Sequence, residues 1–145
     1  MFTGEYHHSL DEKNRLTIPS RLRQQADSED QFVITPGLDK ALFLYPLSEW
    51  KRLGKRLRSL STLHSDARAF LRLFFSGAHP VQPDAQGRIT LPQTLKEMAE
   101  IKDKIVIIGA FNKIEIWSEE RWNEYYQEKR AIFEELAERI MDVEI

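Results

Sequence analysis

The residues best suited to do chemistry are an aspartate and an arginine that occur four positions apart at two places in the chain. Asp11 precedes Arg15, and Asp84 precedes Arg88. Such a pair can form an ion pair across a tight turn, which adds little stability when it is exposed. An arginine held rigidly near a turn can instead donate to phosphate oxygens or to the acceptors on a guanine edge. The spacing alone leaves both interpretations open.

Positive charge is concentrated around the first of these pairs. The chain of 145 residues has a net charge of −2, which argues mildly against a nucleic-acid ligand. Residues 118–145 hold nine acidic and four basic side chains, however, so the rest of the chain has 17 basic against 14 acidic ones. A mixed charge face is usually a solvated surface, and this one becomes a candidate site because it falls on a repeated motif. The clustered cations are Lys13, Arg15, Arg21 and Arg23.

The other side chains that could take part in catalysis or metal binding form no recognisable motif. His7 and His8 are adjacent on a predicted strand, so they point to opposite faces. The sequence has no cysteine, HExxH motif, glycine-rich phosphate loop or GxSxG elbow. An enzyme would need Asp11 and Asp84 to act together, and each is better explained as a turn-forming residue. We therefore expect no catalysis, no metal site, no cofactor and no small-molecule substrate.

A repeated segment carries both Asp–Arg pairs. The sequence DEKNRLTIP at residues 11–19 returns 73 positions later as DAQGRITLP at residues 84–92. Beyond the repeated proline, Leu22 matches Leu95, and Arg23 matches Lys96. Self-similarity of this length indicates one structural unit used twice. Each unit is too small to bury a core alone, so we expect the two units to share one core.

The motif predicts a hairpin in each unit. Residues 15–19 alternate polar and apolar side chains, which is typical of a half-buried strand. Residues 11–14 and 84–87 are predicted turns, because Asn14 and Gly87 are of the two types that most readily adopt a positive φ. The first hairpin would pair strand 5–10 with strand 15–19, and the second would pair 79–83 with 88–92. Pro19 and Pro92 then suit the starts of two short helices.

Apolar residues at helical spacing predict further helices between and after the units. Trp50, Leu53, Leu57 and Leu60 mark one connecting helix, and Phe70 lies in a second. A single long helix is predicted from about residue 119 to the end of the chain. We therefore divide the chain into a first unit (5–47), connecting helices (48–78), a second unit (79–120) and a C-terminal helix (121–145).

The doubled motif resembles that of the MraZ family. Two copies of Asp-x-x-x-Arg-[Leu/Ile]-Thr-[Ile/Leu]-Pro and an opening Met-Phe-x-Gly-x-Tyr-x-x-Ser-Leu-Asp are similar to that family, and the similarity extends into the final helix. The resemblance implies two tandem SpoVT–AbrB-type swapped-hairpin domains. The expected fold is therefore α+β, with two pseudo-twofold-related βαββ units that form one small β-barrel flanked by helices.

The same resemblance implies a function. It implies a sequence-specific, DNA-binding transcriptional regulator that represses the division and cell-wall gene cluster including its own gene. Such a protein binds repeated sites in double-stranded promoter DNA through the first hairpin, as a ring-shaped homo-oligomer such as an octamer. Lys13 and Arg15 are then DNA contacts, with Arg21 and Arg23 as further predicted contacts of the first unit. The motif residues are Asp11, Asn14, Asp84, Gly87 and Arg88. The family often has glycine at the position of Asn14, and both residue types allow a positive φ.

Two alternatives from other classes remain open. One is an oligomeric scaffold for other proteins, and the other is an antitoxin-like module that binds both a promoter and a partner protein. The longest apolar run, 105–111, is too short to span a membrane, and the N-terminus does not read as a signal peptide. The cysteine-free composition fits a reducing compartment. We therefore expect a cytoplasmic protein without membrane contact, and the family resemblance implies that it is associated with the nucleoid.

Overall fold

The computed structural model describes residues 1–140 and has a mixed α+β architecture. The α+β class expected from the sequence is therefore confirmed. The described part contains eight strands and six helices: β1 (Glu5–Ser9), β2 (Arg15–Thr17), α1 (Ser20–Gln25), β3 (Phe32–Pro36), β4 (Leu42–Pro46), α2 (Leu47–Leu57), α3 (Ser65–Ser76), β5 (His79–Val81), β6 (Arg88–Thr90), α4 (Gln93–Met98), β7 (Lys104–Gly109), β8 (Ile114–Ser118), α5 (Glu119–Arg130) and α6 (Phe133–Arg139).

Two antiparallel sheets join the halves of the chain. The larger sheet has six strands in the order β1-β7-β8-β4-β3-β5. Three of its neighbouring pairs join a strand of the first half to a strand of the second half. These pairs are β1 with β7, β4 with β8 and β3 with β5. The smaller sheet consists of β2 and β6, in which Leu16 lies opposite Ile89. The two copies of the motif are therefore hydrogen-bonded to each other.

The predicted pairing within each hairpin is wrong. The sequence pattern pairs strand 5–10 with 15–19, but β1 pairs with β7 and β2 pairs with β6. Likewise, β5 pairs with β3 and not with β6. The turn between β1 and β2 does form, since the amide of Asp11 donates to the carbonyl of Arg15 over 2.9 Å. An alternating pattern fixes the buried face of a strand but does not name its partner, so the exchange could not be deduced locally.

One core is shared by both halves, as the small size of each unit predicts. In β2, Leu16 is buried whereas Arg15 and Thr17 are partly exposed, as the alternation requires. Pro19 and Pro92 precede α1 and α4 with φ values of −52° and −57°, which suit a helix start. The buried cluster combines apolar side chains of both halves, among them Leu16, Ile18, Leu22, Leu44, Ile89, Leu91, Leu95, Ile105 and Ile116.

The connecting helices pack on β3 and β4 through aromatic side chains. Trp50 of α2 lies with its ring centroid 5.5 Å from Phe74 of α3 and 5.8 Å from Tyr45 of β4. The hydroxyl of Thr35 in β3 donates to the carbonyl of Phe74 over 3.1 Å. The first connecting helix is shorter than its apolar pattern predicts. α2 ends at Leu57, and Leu60 lies beyond its end and is exposed.

The single long C-terminal helix expected from the sequence is interrupted. α5 ends at Arg130 and α6 begins at Phe133, and Ile132 between them has φ −116° and ψ 20°. The apolar pattern continues across this break, so periodicity alone could not reveal it. Trp122 of α5 packs on Trp117 of β8 at a centroid distance of 5.2 Å. Residues 141–145 of the predicted helix lie outside the described residues.

Candidate nucleic-acid interface

Asp11 closes the first turn and orients the arginine that follows it. One carboxylate oxygen, Oδ1, accepts hydrogen bonds from the backbone amides of Lys13 and Arg15, both at 2.9 Å. The other oxygen, Oδ2, accepts from Nε of Arg15 at 2.7 Å. The ion pair considered from the spacing is therefore present. Among residues 1–140 it engages only Nε of Arg15, so the two Nη groups remain available to an external acceptor.

Asp84 builds the second turn with the same geometry. Its Oδ1 accepts from the amides of Gln86 and Arg88, both at 2.9 Å, and its Oδ2 accepts from Nε of Arg88 at 2.8 Å. The two guanidinium groups are similarly accessible, with 26% of the Arg15 side chain and 30% of the Arg88 side chain exposed. The repeated sequence thus produces two nearly equivalent arginine-presenting turns.

These hydrogen bonds hold both aspartates in the ionised form. The backbone amide of Arg15 contributes most to lowering the pKa of Asp11 below its usual 3.8, followed by the guanidinium of the same residue. The pKa of Asp84 is lowered in the same way, chiefly by the backbone amide of Arg88. Hydrogen bonds to a carboxylate favour its charged form, and here they exceed the opposing effect of partial desolvation.

The residues with positive φ connect each turn to the other half of the chain. Asn14 has φ 56° and Gly87 has φ 78°, as their residue types predict. The carbonyl of Asn14 accepts from the amide of Leu91, and the carbonyl of Gly87 accepts from the amide of Ile18, both at 2.8 Å. Each turn is therefore fixed to the end of the other half's motif strand.

The two turns lie at opposite ends of the small sheet. Arg15 at the start of β2 faces Thr90 at the end of β6, and Thr17 at the end of β2 faces Arg88. Because the strands are antiparallel, the turn before β2 and the turn before β6 are separated by the length of three residues, roughly 10 Å. Any ligand that contacts both turns must span at least that distance.

The structure does not bring the four predicted DNA-binding cations together. Lys13 is exposed in the first turn, and Arg21 is exposed on α1. Arg23 lies instead at the second turn, where its Nε donates to the carbonyl of Ile18 at 3.2 Å. Its guanidinium lies so close to Gly87 that an added Cβ there would be 2.6 Å from Cζ of Arg23. A side chain at position 87 would therefore displace the guanidinium, and the φ of 78° disfavours a side chain there as well.

One cation at the first turn was not predicted from the sequence. Nζ of Lys96, in α4, donates to Oδ1 of Asn14 at 2.9 Å, and the lysine is partly buried. Lys96 and Arg23 occupy equivalent repeat positions and therefore sit at opposite turns. The register of the repeat was the only available signal, and it could not place Lys96 without knowledge of the strand exchange.

The remaining candidate chemistry lies at the surface. Nε2 of His7 and Oε2 of Glu5 are 2.8 Å apart at an exposed position. Within residues 1–140, no group of three or more His, Cys, Asp and Glu side chains could hold a metal ion. Nor is any helix in that range both long and apolar enough to cross a membrane.

These features define a class of small α+β proteins in which two copies of one motif pair with each other through β2 and β6 and present two Asp–Arg turns. The family described as "MraZ protein, putative antitoxin-like" matches residues 1–73 and again residues 74–144. The chain belongs to this family, so the resemblance of its doubled motif is confirmed. The finer boundaries at residues 47, 78 and 120 stay a prediction.

Two curated relatives match along their whole length. The chain is 48% identical to "Transcriptional regulator MraZ" of Moorella thermoacetica, with 100% of both chains covered. It is 47% identical to the protein of the same name from Natranaerobius thermophilus, again with 100% coverage of both. These proteins are named as regulators and not as enzymes, which agrees with the expectation that no catalysis occurs.

Proposed function

We propose that the protein is a transcriptional regulator that binds double-stranded promoter DNA sequence-specifically through its first turn. The observation that supports this most directly is the presentation of Arg15. Asp11 fixes Nε of Arg15 and leaves both Nη groups at a solvent-accessible turn beside the exposed Lys13. The names of the full-length relatives support the regulatory role.

The guanidinium and ammonium groups at the turn suit different contacts with DNA. A guanidinium that donates two parallel hydrogen bonds to O6 and N7 of guanine discriminates against other bases by about 1–3 kcal/mol. An ammonium group such as that of Lys13 is suited to phosphates, which position the protein without reading sequence. Arg15 is thus the proposed base contact, while Lys13 and Arg21 are proposed phosphate contacts. Arg23, which lies at the second turn, is not among the proposed contacts.

We interpret the strand exchange as a pair of swapped hairpins related by a pseudo-twofold axis within one small barrel. The reciprocal bonds from Ile18 to Gly87 and from Leu91 to Asn14 support this interpretation. Such an arrangement makes the two turns equivalent in position, so their different side chains decide which of them contacts DNA. Lys13 in the first turn corresponds to Gln86 in the second, and Asn14, which binds Lys96, corresponds to Gly87.

The proposed functional form is a ring-shaped homo-oligomer such as an octamer. A groove of about 730 Å³ bounded by α2, α3 and α4 is lined by apolar side chains that include Leu53, Phe70 and Leu73. Leu73 is 73% exposed, and α6 carries Phe133 at 55% exposure. The exposed side of α2 is basic whereas α5 and α6 are rich in glutamate, so a head-to-tail contact would join opposite charges. Contacts of this type close into rings where the rotation between successive copies is a whole fraction of a turn.

The proposed target is the promoter of the division and cell-wall gene cluster that includes the protein's own gene, which the protein would repress. This assignment rests on the family resemblance, and it places the protein in the cytoplasm in association with the nucleoid. Repeated short sites in one promoter would suit a ring that carries several copies of the first turn.

A gel shift with the DNA upstream of the protein's own gene tests the proposal. The wild-type protein should shift this fragment in the presence of an excess of unrelated duplex, and the affinity should fall with rising salt, as phosphate contacts require. A shuffled fragment of equal length is the control. Equal affinity for both fragments, or no shift at either of two salt concentrations, would refute the proposed function.

A scaffold role is the second candidate, because the exposed apolar side chains of α3 and α6 suit protein contacts as well as assembly. An antitoxin-like role would add a partner protein to promoter binding. Ring formation without DNA binding would favour the scaffold, and promoter binding that changes when a partner occupies α5 and α6 would favour the antitoxin-like role.

A further inference from the structure

The charge of the first turn depends on a residue from the other half of the chain. Residues 11–15 contain two acids, Asp11 and Glu12, and two bases, Lys13 and Arg15. This segment is formally neutral, and Glu12 is exposed. Attraction to DNA comes from cations that replace the counterions of phosphates, so a neutral turn has little of it. The only cation seen to reach the turn from elsewhere in residues 1–140 is Lys96.

Lys96 is held at the turn without losing its capacity to bind an anion. An ammonium group has three N–H donors, and Asn14 Oδ1 accepts one of them at 2.9 Å. Within residues 1–140, Lys96 forms no ion pair with a carboxylate. The amide oxygen of Asn14 orients the amine but does not neutralise it.

The second turn holds its imported cation in a different way. Arg23 lies against Gly87, and its Nε is used by the carbonyl of Ile18. Gly87 has no side chain that could orient the guanidinium outward. The combinations of Asn14 with Lys96 and of Gly87 with Arg23 therefore differ in geometry, since a Cβ at position 87 would meet Cζ of Arg23 at 2.6 Å and the guanidinium would have to move.

We propose that Lys96 is a DNA-contacting residue of the first turn, supplied by α4 and oriented by Asn14. The proposal rests on the proposed function, since it names a further contact of the same site. Lys96 binds a backbone phosphate while Arg15 contacts a base edge, and the interface is composed of both halves of the chain. A single isolated unit would lack this contact even if it folded.

The salt dependence of promoter binding by the Lys96→Gln and Lys96→Arg proteins tests this. Glutamine keeps an N–H donor but carries no charge, so the slope of log K against log salt should become shallower by about 0.9 for each engaged subunit. The affinity of Lys96→Gln should also fall about tenfold per engaged subunit. The Lys96→Arg protein should keep most of the wild-type slope and most of the wild-type affinity. Arg23→Gln at the equivalent position is the matched control, and its slope should equal that of the wild type.

Each outcome has a distinct meaning when the wild-type protein is measured beside the variants. An unchanged slope in Lys96→Gln overturns this proposal and leaves the proposed function standing, whether or not affinity falls. A lysine that only stabilises the turn would alter affinity without altering the number of phosphates bound. A larger decrease of the slope in Arg23→Gln than in Lys96→Gln overturns the proposal as well. If the wild-type protein does not bind the promoter, the proposed function fails and this proposal fails with it.

Discussion

At the residue scale, the Asp–Arg pair both forms an ion pair across the turn and orients the arginine outward. The sequence spacing could not distinguish these two roles. The carboxylate of Asp11 binds two amides and Nε of Arg15, so it forms the turn and fixes the guanidinium at the same time. The ion pair therefore does not compete with recognition. It restricts the rotamers of Arg15 before any ligand arrives, which reduces the entropy lost when the Nη groups bind.

The lowered pKa of Asp84 predicts a pH-dependent contribution to stability. Because the pKa is below 3.8 in the folded chain and near 3.8 in the unfolded one, the ionised carboxylate stabilises the fold fully above about pH 5. That contribution is lost as the pH falls through the folded pKa. Asp84→Asn should therefore melt at a lower temperature than the wild type at pH 7, with a difference that shrinks below about pH 4.

Thermal melts of the two proteins between about pH 3 and 7 would check this prediction. Glu12→Gln is a suitable control, since Glu12 is exposed and accepts no hydrogen bond within residues 1–140. A difference between Asp84→Asn and the wild type that stays constant over the whole range would contradict the argument.

The backbone of the two turns predicts opposite tolerances to substitution. Gly87 has φ 78° and contacts Arg23, so Gly87→Ala should lower the free energy of unfolding by about 1–2 kcal/mol through the left-handed conformation. Asn14 has φ 56°, which glycine also adopts readily, so Asn14→Gly should change stability by less than about 0.5 kcal/mol. Chemical denaturation measures both values. A larger loss in Asn14→Gly would show that its bond to Lys96 contributes more than the backbone does.

At the element scale, sequence reasoning identified the strands and turns but not their partners. Alternation placed Leu16 and Ile89 in the core, and the residue types of Asn14 and Gly87 located the turns. Both are local properties of a few neighbouring residues. The pairing of β2 with β6 joins residues far apart in the chain, and no local pattern encodes it. For that reason Arg23 was assigned to the first turn and Lys96 was missed.

The near-equivalence of the two turns makes their arginines a matched pair for testing the asymmetry of DNA binding. Arg15 and Arg88 each bond an aspartate through Nε, at 2.7 and 2.8 Å, so Arg15→Ala and Arg88→Ala should lower the melting temperature by similar amounts. Only Arg15→Ala should weaken promoter binding strongly and relax the sequence preference, by about 1–3 kcal/mol per guanine contact. Gel shifts and melts of both proteins decide this. Equal losses of affinity would mean that both turns contact DNA.

At the scale of the whole molecule, basic and acidic side chains are concentrated on different helices. The exposed side of α2 is basic and the C-terminal helices are acidic, and this difference was readable from composition. The interruption at Ile132 was not readable, because the apolar pattern is continuous there. Leu73 and Phe133 are both exposed apolar side chains, and they suit the proposed contact between copies of the chain.

Leu73→Glu is predicted to prevent assembly and, as a consequence, to abolish most promoter binding. Leu73 is 73% exposed, so a charge there should leave the fold intact while it disfavours an apolar contact at the groove. Several first turns on one ring raise the effective concentration at repeated sites, which can increase avidity by ~10²–10⁴. Light scattering should report several subunits for the wild type and one for the variant, and gel shifts should show a loss within that range.

Leu63→Glu provides the matched control for this prediction, since Leu63 is 89% exposed and lies between α2 and α3, outside the residues that line the groove. It should keep both the oligomeric mass and the promoter affinity of the wild type. A single-subunit mass for the wild-type protein at micromolar concentration would contradict the assembly. A folded, single-subunit Leu73→Glu protein that binds the promoter as tightly as the wild type would show that one first turn suffices, because avidity can contribute nothing when only one copy is bound.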